Sequence, residues 1–362
     1  MATDALFDLL RGYSALLPVS RLNYPRDLTI EEVHGFVVEN ILLNPHLATY
    51  PPSAPYQQTF FKWIIGYLEE HVGDEEDAAI DDRLYDRLFD AMSEARSVQG
   101  DASALVSAPP PSYVTHYWEP RSTRRDLPPE NTICGRVSVT LFESRTTIES
   151  GTTGLRTWRA SFVLARYLIA HPEVISHHNV LELGSGTGFL GIVAGSLQVL
   201  CHEEHNDLPK VVLSDVNDAV LERCADNVRL TCNVSAKHVR LSVRPLDWMD
   251  ALDSTRAPSL KTFLDEAGPD VILGADVLYH PDIVPALVAT LKMALEHKST
   301  NTAYLALTVR NPDLLQMFLR TVSGSRLAHE ELQPEPETTN EFLEISEGID
   351  QRVILLRITA RK

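Results

Sequence analysis

Over the first ninety residues apolar positions recur at helical spacing. In LTIEEVHGFVVENILLNP (28–45), Ile30, Val33, Val37 and Ile41 share one face, and Thr29 with Glu32 has capping-box spacing. Asn44-Pro45 ends that helix. QQTFFKWIIGYLEEH (57–71) and DDRLYDRLFDAM (81–92) predict two more. In the second, Leu84 with Leu88 and Tyr85 with Phe89 form a double i, i+4 stripe, which points to packing or partner recognition rather than a ligand box. Residues 1–92 thus read as a helical domain. Residues 93–112, SEARSVQGDASALVSAPPPS, are small, polar and proline-rich and read as a linker.

From residue 113 the period changes. RVSVTLFES alternates as a half-buried strand, and TGLRTWRASFVLARYLIAHP (153–172) reads as an amphipathic helix. The runs NVLELG, VVLSDV, VRLSVRPLDW, DVILGADVLY and AYLALTVR follow, with helical segments between most of them, and RVILLRITA adds one more strand. Buried strands alternating with helices predict a doubly wound, parallel α/β sheet over 113–362. In such a sheet ligands bind beyond the carboxyl ends of the strands, where strand order reverses.

Composition narrows the partners. The 362 residues, 44% apolar, can bury a sizeable core, and no apolar stretch reaches the ~18 residues of a membrane span. MATDALFDLL lacks the order of a signal peptide. Cys134, Cys201, Cys224 and Cys232 form no CxxC pair, so they read as reduced thiols of a cytosolic or nuclear protein. A formal net charge of −18 disfavours direct nucleic-acid binding and favours a basic protein surface as partner. Cys201, His202 and His205 in CHEEH lie close together, but no second ligand cluster follows at zinc-like spacing, so no metal site is expected. Residues 200–209 read as a peripheral insertion, His177-His178 as surface residues, and GDEEDAAIDD (73–82) as a solvated turn and helix start.

The candidate chemistry begins at NVLELGSGTGFLG (179–191). A dinucleotide loop, GxGxxG, started at Gly184 would need glycine where Phe189 stands, and the register from Gly186 lies two residues further from the strand. A Walker loop needs a lysine, and none is near. The pattern E/D-x-G-x-G-x-G of loops that bind S-adenosyl-L-methionine fits better, with Glu182 two residues before Gly184. Asp215 ends VVLSD, where a carboxylate accepts from ribose hydroxyls or simply caps a helix. Trp248 in PLDW, with Asp247 beside it, stands where an adenine would stack, or fills core; Trp158 carries the same two readings. After DVIL, GADVLYHP sets Asp276 and Tyr279 in a D-x-x-Y spacing. A carboxylate orients an amine and helps it lose a proton, and a phenol face holds the cation or its methylated products.

Taken together, GTTGLRTW, LELGSGTGFLG, LSDVN, LDW, GADVLYHP and TVRNP resemble the seven-strand protein-lysine methyltransferases, most of all the branch that methylates a lysine of translation elongation factor 2. The resemblance covers about residues 112–362; GTTGL and TVRNP carry its narrower part. It implies a Rossmann-like seven-strand sheet, S-adenosyl-L-methionine as cofactor and a cytoplasmic enzyme acting on elongation factor 2. By the same resemblance, Trp158, Gly184, Ser185, Gly186, Asp215, Trp248 and Ala275 line the cofactor site with Glu182 close by. Asp276 and Tyr279 face the substrate lysine, and Arg310 and Asn311 stand at the rim. Three other readings stay open at this stage: another protein or small-amine acceptor, a non-catalytic nucleoside-binding adaptor, and a nicotinamide dehydrogenase.

Overall fold

The computed structural model describes residues 2–72, 79–98, 109–120, 132–149, 151–202, 207–296, 300, 302–336, 342–343 and 351–361. The chain forms two compact units: Met1–Tyr117 with Phe142–Thr147, and Trp118–Leu141 with Ile148–Lys362. This division is discontinuous in sequence, which no local change of texture announces.

The first unit contains helices α1 (Ala2–Ser14), α2 (Ile30–Val37), α3 (Pro45–Thr49), α4 (Ala54–Val72) and α5 (Asp82–Val98), followed by strand β1 (Ser112–Trp118), whose last residue belongs to the second unit. The capping box of α2 forms as its spacing predicts: Glu32 N donates to Thr29 Oγ1 at 3.3 Å, and Thr29 N donates to Glu32 Oε2 at 2.9 Å. Asn44 does more than stop a helix, since its side chain caps α3. The stripe on α5 splits, with Leu84 buried and Phe89 62% exposed. That helix runs to Val98, six residues into the segment read as a linker; residues 99–108 of that segment lie outside the described residues, as do 73–78 and 203–206.

In the second unit β2 (Thr132–Ile133) pairs antiparallel with β3 (Arg136–Glu143), whose last two residues belong to the first unit. The main sheet is built from β4 (Val180–Leu183), β5 (Val211–Asp215), β6 (Leu241–Pro245), β7 (Val271–Ala275), β8 (Thr302–Thr308), β9 (Leu327–Leu332) and β10 (Val353–Ala360). Its order is β6-β5-β4-β7-β8-β10-β9. The first five strands are parallel, and β10 runs antiparallel between β8 and β9. The parallel sheet predicted from sequence is therefore mixed. β9 was not expected, because LAHEEL is too polar to read as a buried strand and lies at the sheet edge.

Helices cover both faces. α6 (Arg159–Ala170), α7 (Phe189–Cys201) and α8 (Asp218–Val228) bury Phe162, Leu164, Ile192, Val193 and Cys224 on one side, against Val211, Leu213 and Leu273. α9 (Ala257–Ala267), α10 (Ile283–Leu295) and α11 (Pro312–Gly324) bury Leu260, Leu287, Leu291 and Phe318 on the other, against Leu181, Ile272 and Leu305. Strands sandwiched this way are apolar on both sides, which explains the unbroken runs in the sequence. The chain leaves β4 to one side for β5 and later returns to the other for β7, so strand order reverses at β4. In register, Leu183 lies beside Ser214 and Gly274, which brings residues 184, 215 and 275 to one edge of the sheet.

Candidate active site

A cleft opens over that edge. Of the ten residues assigned above to cofactor or substrate, nine line it: Trp158, Gly184, Ser185, Gly186, Asp215, Trp248, Ala275, Asp276 and Tyr279. Glu182 does not. It is 2% exposed, and burial pushes its carboxyl up to about 8, so it lies neutral beneath the glycine loop at pH 7. The strand period explains this: Leu181 and Leu183 face α9–α11, so Glu182 turns to the opposite face, under α7.

The loop owes its shape to Gly184, Gly186 and Gly188, whose φ values are +66°, +54° and +92°. A side chain on Gly186 would also meet the carbonyl of Gly154 at 3.1 Å. Ser185 fastens the loop to the next strand: its N–H donates to Ser214 O, and its Oγ accepts from Ser214 N, both at 2.9 Å. Asp215 is not a helix cap. Asn217 caps α8, and Asp215 accepts from Val216 N at 2.8 Å, Asn217 N at 3.1 Å and, across the loop, Gly186 N at 3.3 Å. Burial raises its carboxyl above the ordinary range, while those three amides oppose the shift.

Of the opposite wall, Trp158 was expected from sequence and the loop that carries it was not. The helix expected from residue 153 starts at Arg159, with Trp158 at its N-cap, and residues 151–157 form a loop along the cleft. Gly154 is required there because a Cβ would come within 2.9 Å of Val220. Trp158 Nε1 donates to Thr153 O at 3.0 Å, which fixes the indole against its own loop. Trp248 begins the short 3₁₀ turn after β6, with its Nε1 buried and without a hydrogen-bond partner.

Asp276 follows β7 with φ +52°, a left-handed backbone for a residue with a side chain. Its side chain is 5% exposed. Oδ1 accepts from Thr308 N at 2.8 Å; Oδ2 accepts from Thr308 Oγ1 at 2.9 Å and Arg310 Nη2 at 3.2 Å. Three of about four acceptor positions are thus filled, and one is left for an incoming group. The signal for this clamp was the Thr-Val-Arg of TVRNP, legible only once β8 is placed beside β7. Tyr279 is 62% exposed at the mouth, and partial burial pushes its phenol up, followed by the fields of Asp215 and Asp247, so it is neutral at pH 7. Asn311 is structural: it caps α11, accepting from Asp313 N and Leu314 N.

The loop, the carboxylate beside it and the buried indole N–H fit a nucleoside that carries hydrogen-bonding edges. Comparison with known proteins agrees. Residues 141–324 match a family described as lysine methyltransferase. Human protein-lysine N-methyltransferase EEF2KMT is 30% identical over 303 residues, covering 81% of this chain and 77% of that protein. Protein-lysine N-methyltransferase EFM3 of Chaetomium thermophilum is 30% identical over 297 residues, covering 81% of this chain and 79% of that protein. Among solved structures, an O-methyltransferase from Bacillus cereus in complex with SAH matches 57% of this chain and 83% of that one, at 15% identity and a TM-score of 0.36. The chain belongs to the lysine methyltransferase family. It is an enzyme that uses S-adenosyl-L-methionine to methylate protein lysine.

Proposed function

We propose that the acceptor is a lysine of translation elongation factor 2, and that Asp276 and Tyr279 receive it. The likeness to EEF2KMT over 81% of the chain carries the choice of acceptor, supported by the GTTGL stretch along the cleft and the TVRNP stretch that holds Asp276. S-adenosyl-L-methionine, when bound, would supply an electrophilic methyl group on sulfonium sulfur, to whose carbon an amine lone pair donates as the carbon–sulfur bond breaks and sulfur keeps that pair. The chain's residues bind and align. The glycine loop brings backbone close to the donor's amino-acid end. Asp215 would accept hydrogen bonds from its ribose hydroxyls, and the indoles of Trp248 and Trp158, which line the cleft, would pack against it. The remaining acceptor position of Asp276 takes a hydrogen bond from the incoming amine and points its lone pair at the methyl carbon. Tyr279 offers a neutral ring face to the cation before transfer and to the methylated product after it.

The helical first unit adds contacts to the folded acceptor, and the enzyme works in the cytoplasm, where a translation factor is met. Among the described residues no helix is long and apolar enough to cross a membrane. The acceptor is tested by incubating the enzyme with labelled S-adenosyl-L-methionine and cell extract, then with purified elongation factor 2. Label in one lysine of that factor is the expected result; label confined to other proteins or small amines overturns the choice. Asp276→Ala is expected to lower transfer at least ~100-fold while calorimetry shows cofactor affinity within about threefold.

A further inference from the structure

One cation touches both sides of the site. The guanidinium carbon of Arg310 lies 5.0 Å from the centre of the Trp158 ring, and its Nη2 is 3.2 Å from Asp276 Oδ2. Thr308 already fixes the carboxylate by two uncharged donors, one on each oxygen. Geometry alone therefore does not need an arginine. What Arg310 adds is charge.

That charge matters because the acceptor arrives as an ammonium and reacts only as an amine. An uncompensated carboxylate within about 4–6 Å of an amine raises its pKa by roughly one to three pH units. Each unit cuts the reactive fraction tenfold at a pH below that pKa. Asp276 by itself would hold a lysine firmly in the form that cannot attack, the reverse of the proton-removing role expected of it from sequence. We infer that Arg310 is a positioning residue that cancels the field of Asp276, so that the carboxylate aims the acceptor amine without keeping it protonated. The inference rests on the reading that Asp276 faces the acceptor. Other charged or titratable groups line the cleft: Arg156, whose guanidinium carbon is 5.2 Å from the same indole, and Asp215, Asp247 and Tyr279. Among the described residues Arg310 is the cation bonded to Asp276 itself.

The roles separate by substitution. Arg310→Gln keeps a donor and removes the charge; Arg310→Lys keeps the charge and loses the planar fork. Initial rates of full-length enzyme on intact elongation factor 2, from pH 6 to about 11, give kcat, KM and the acidic limb. For Arg310→Gln the expected result is a fall in kcat of about tenfold at pH 7 with KM for the acceptor unchanged or lower. Its acidic limb moves up by about one pH unit or more, so that the deficit shrinks towards about pH 11. Arg310→Lys is expected to keep the limb near its original position. An equal loss at every pH, or a limb in Arg310→Lys displaced as far as in Arg310→Gln, overturns the inference. Asp276→Asn tells the two ideas apart. If it transfers at the wild-type rate, the assignment of Asp276 fails and the inference with it; if it is inactive while the Arg310→Gln limb stays put, the inference alone fails.

Discussion

Asp276 holds a backbone conformation that costs a non-glycine residue about 1–2 kcal/mol. Three bonds to β8 offset that cost: its N–H donates to Ala306 O at 2.9 Å, and its carboxylate accepts from Thr308 N and Thr308 Oγ1. Aspartate and asparagine tolerate the left-handed region best. Asp276→Ala should therefore lose about 1–2 kcal/mol of stability in urea titrations, and Asp276→Asn clearly less. Glu182 gives a prediction of the opposite sign. Burial raises its carboxyl from the ordinary value of 4.5 to about 8 on folding. Between those two pH values the unfolded chain releases a proton that the folded protein keeps, so stability falls as pH rises through the window and levels off above it. Glu182→Gln removes that slope. Urea midpoints at pH 5, 6.5 and 8 should show a gap that widens in the variant's favour with pH; a gap independent of pH would mean that the carboxyl titrates normally.

The elements explain which features could be read in advance. The turn from β4 to α7 was legible because its signals are local: a buried apolar run, then glycines at fixed spacing. Asp276 and Tyr279 were legible for the same reason, lying just past an apolar strand. What escaped depends on pairing at a distance. The donors that hold Asp276 come from a strand more than thirty residues away, the cleft wall at 151–157 was hidden in an amphipathic pattern, and Glu182 was drawn into the site by a motif that ignores which face it occupies. Gly191 shows the difference between spacing and role. It could be forced into a dinucleotide fingerprint, yet it lies within α7 where a Cβ would overlap the Leu213 side chain and meet Glu182 Oε2 at 2.9 Å. Gly191→Ala is expected to cost about 1–3 kcal/mol by overpacking, despite alanine's better helix propensity; chemical denaturation measures it. On α5, Phe89→Asp should leave cofactor affinity untouched and raise KM for the protein acceptor if that helix meets it.

At the scale of the whole molecule, a formal charge of −18 acts on every encounter. Association with a basic protein surface is then faster at low ionic strength. KM for the acceptor should rise several-fold between about 0.05 and 0.5 M salt, as the Debye length falls below about 10 Å, while the cofactor dissociation constant changes little. A KM indifferent to salt would remove long-range attraction from the account. The strand β10 bears on how the enzyme is made. It lies between β8 and β9, and its sequence follows both. On the ribosome, β8 must wait with one edge bare until residues 353–360 leave the exit tunnel, although the residues that line the cleft have emerged long before. The nascent enzyme thus passes through a stage with its cleft residues made and its sheet unsealed, the moment at which a chaperone has most to shield.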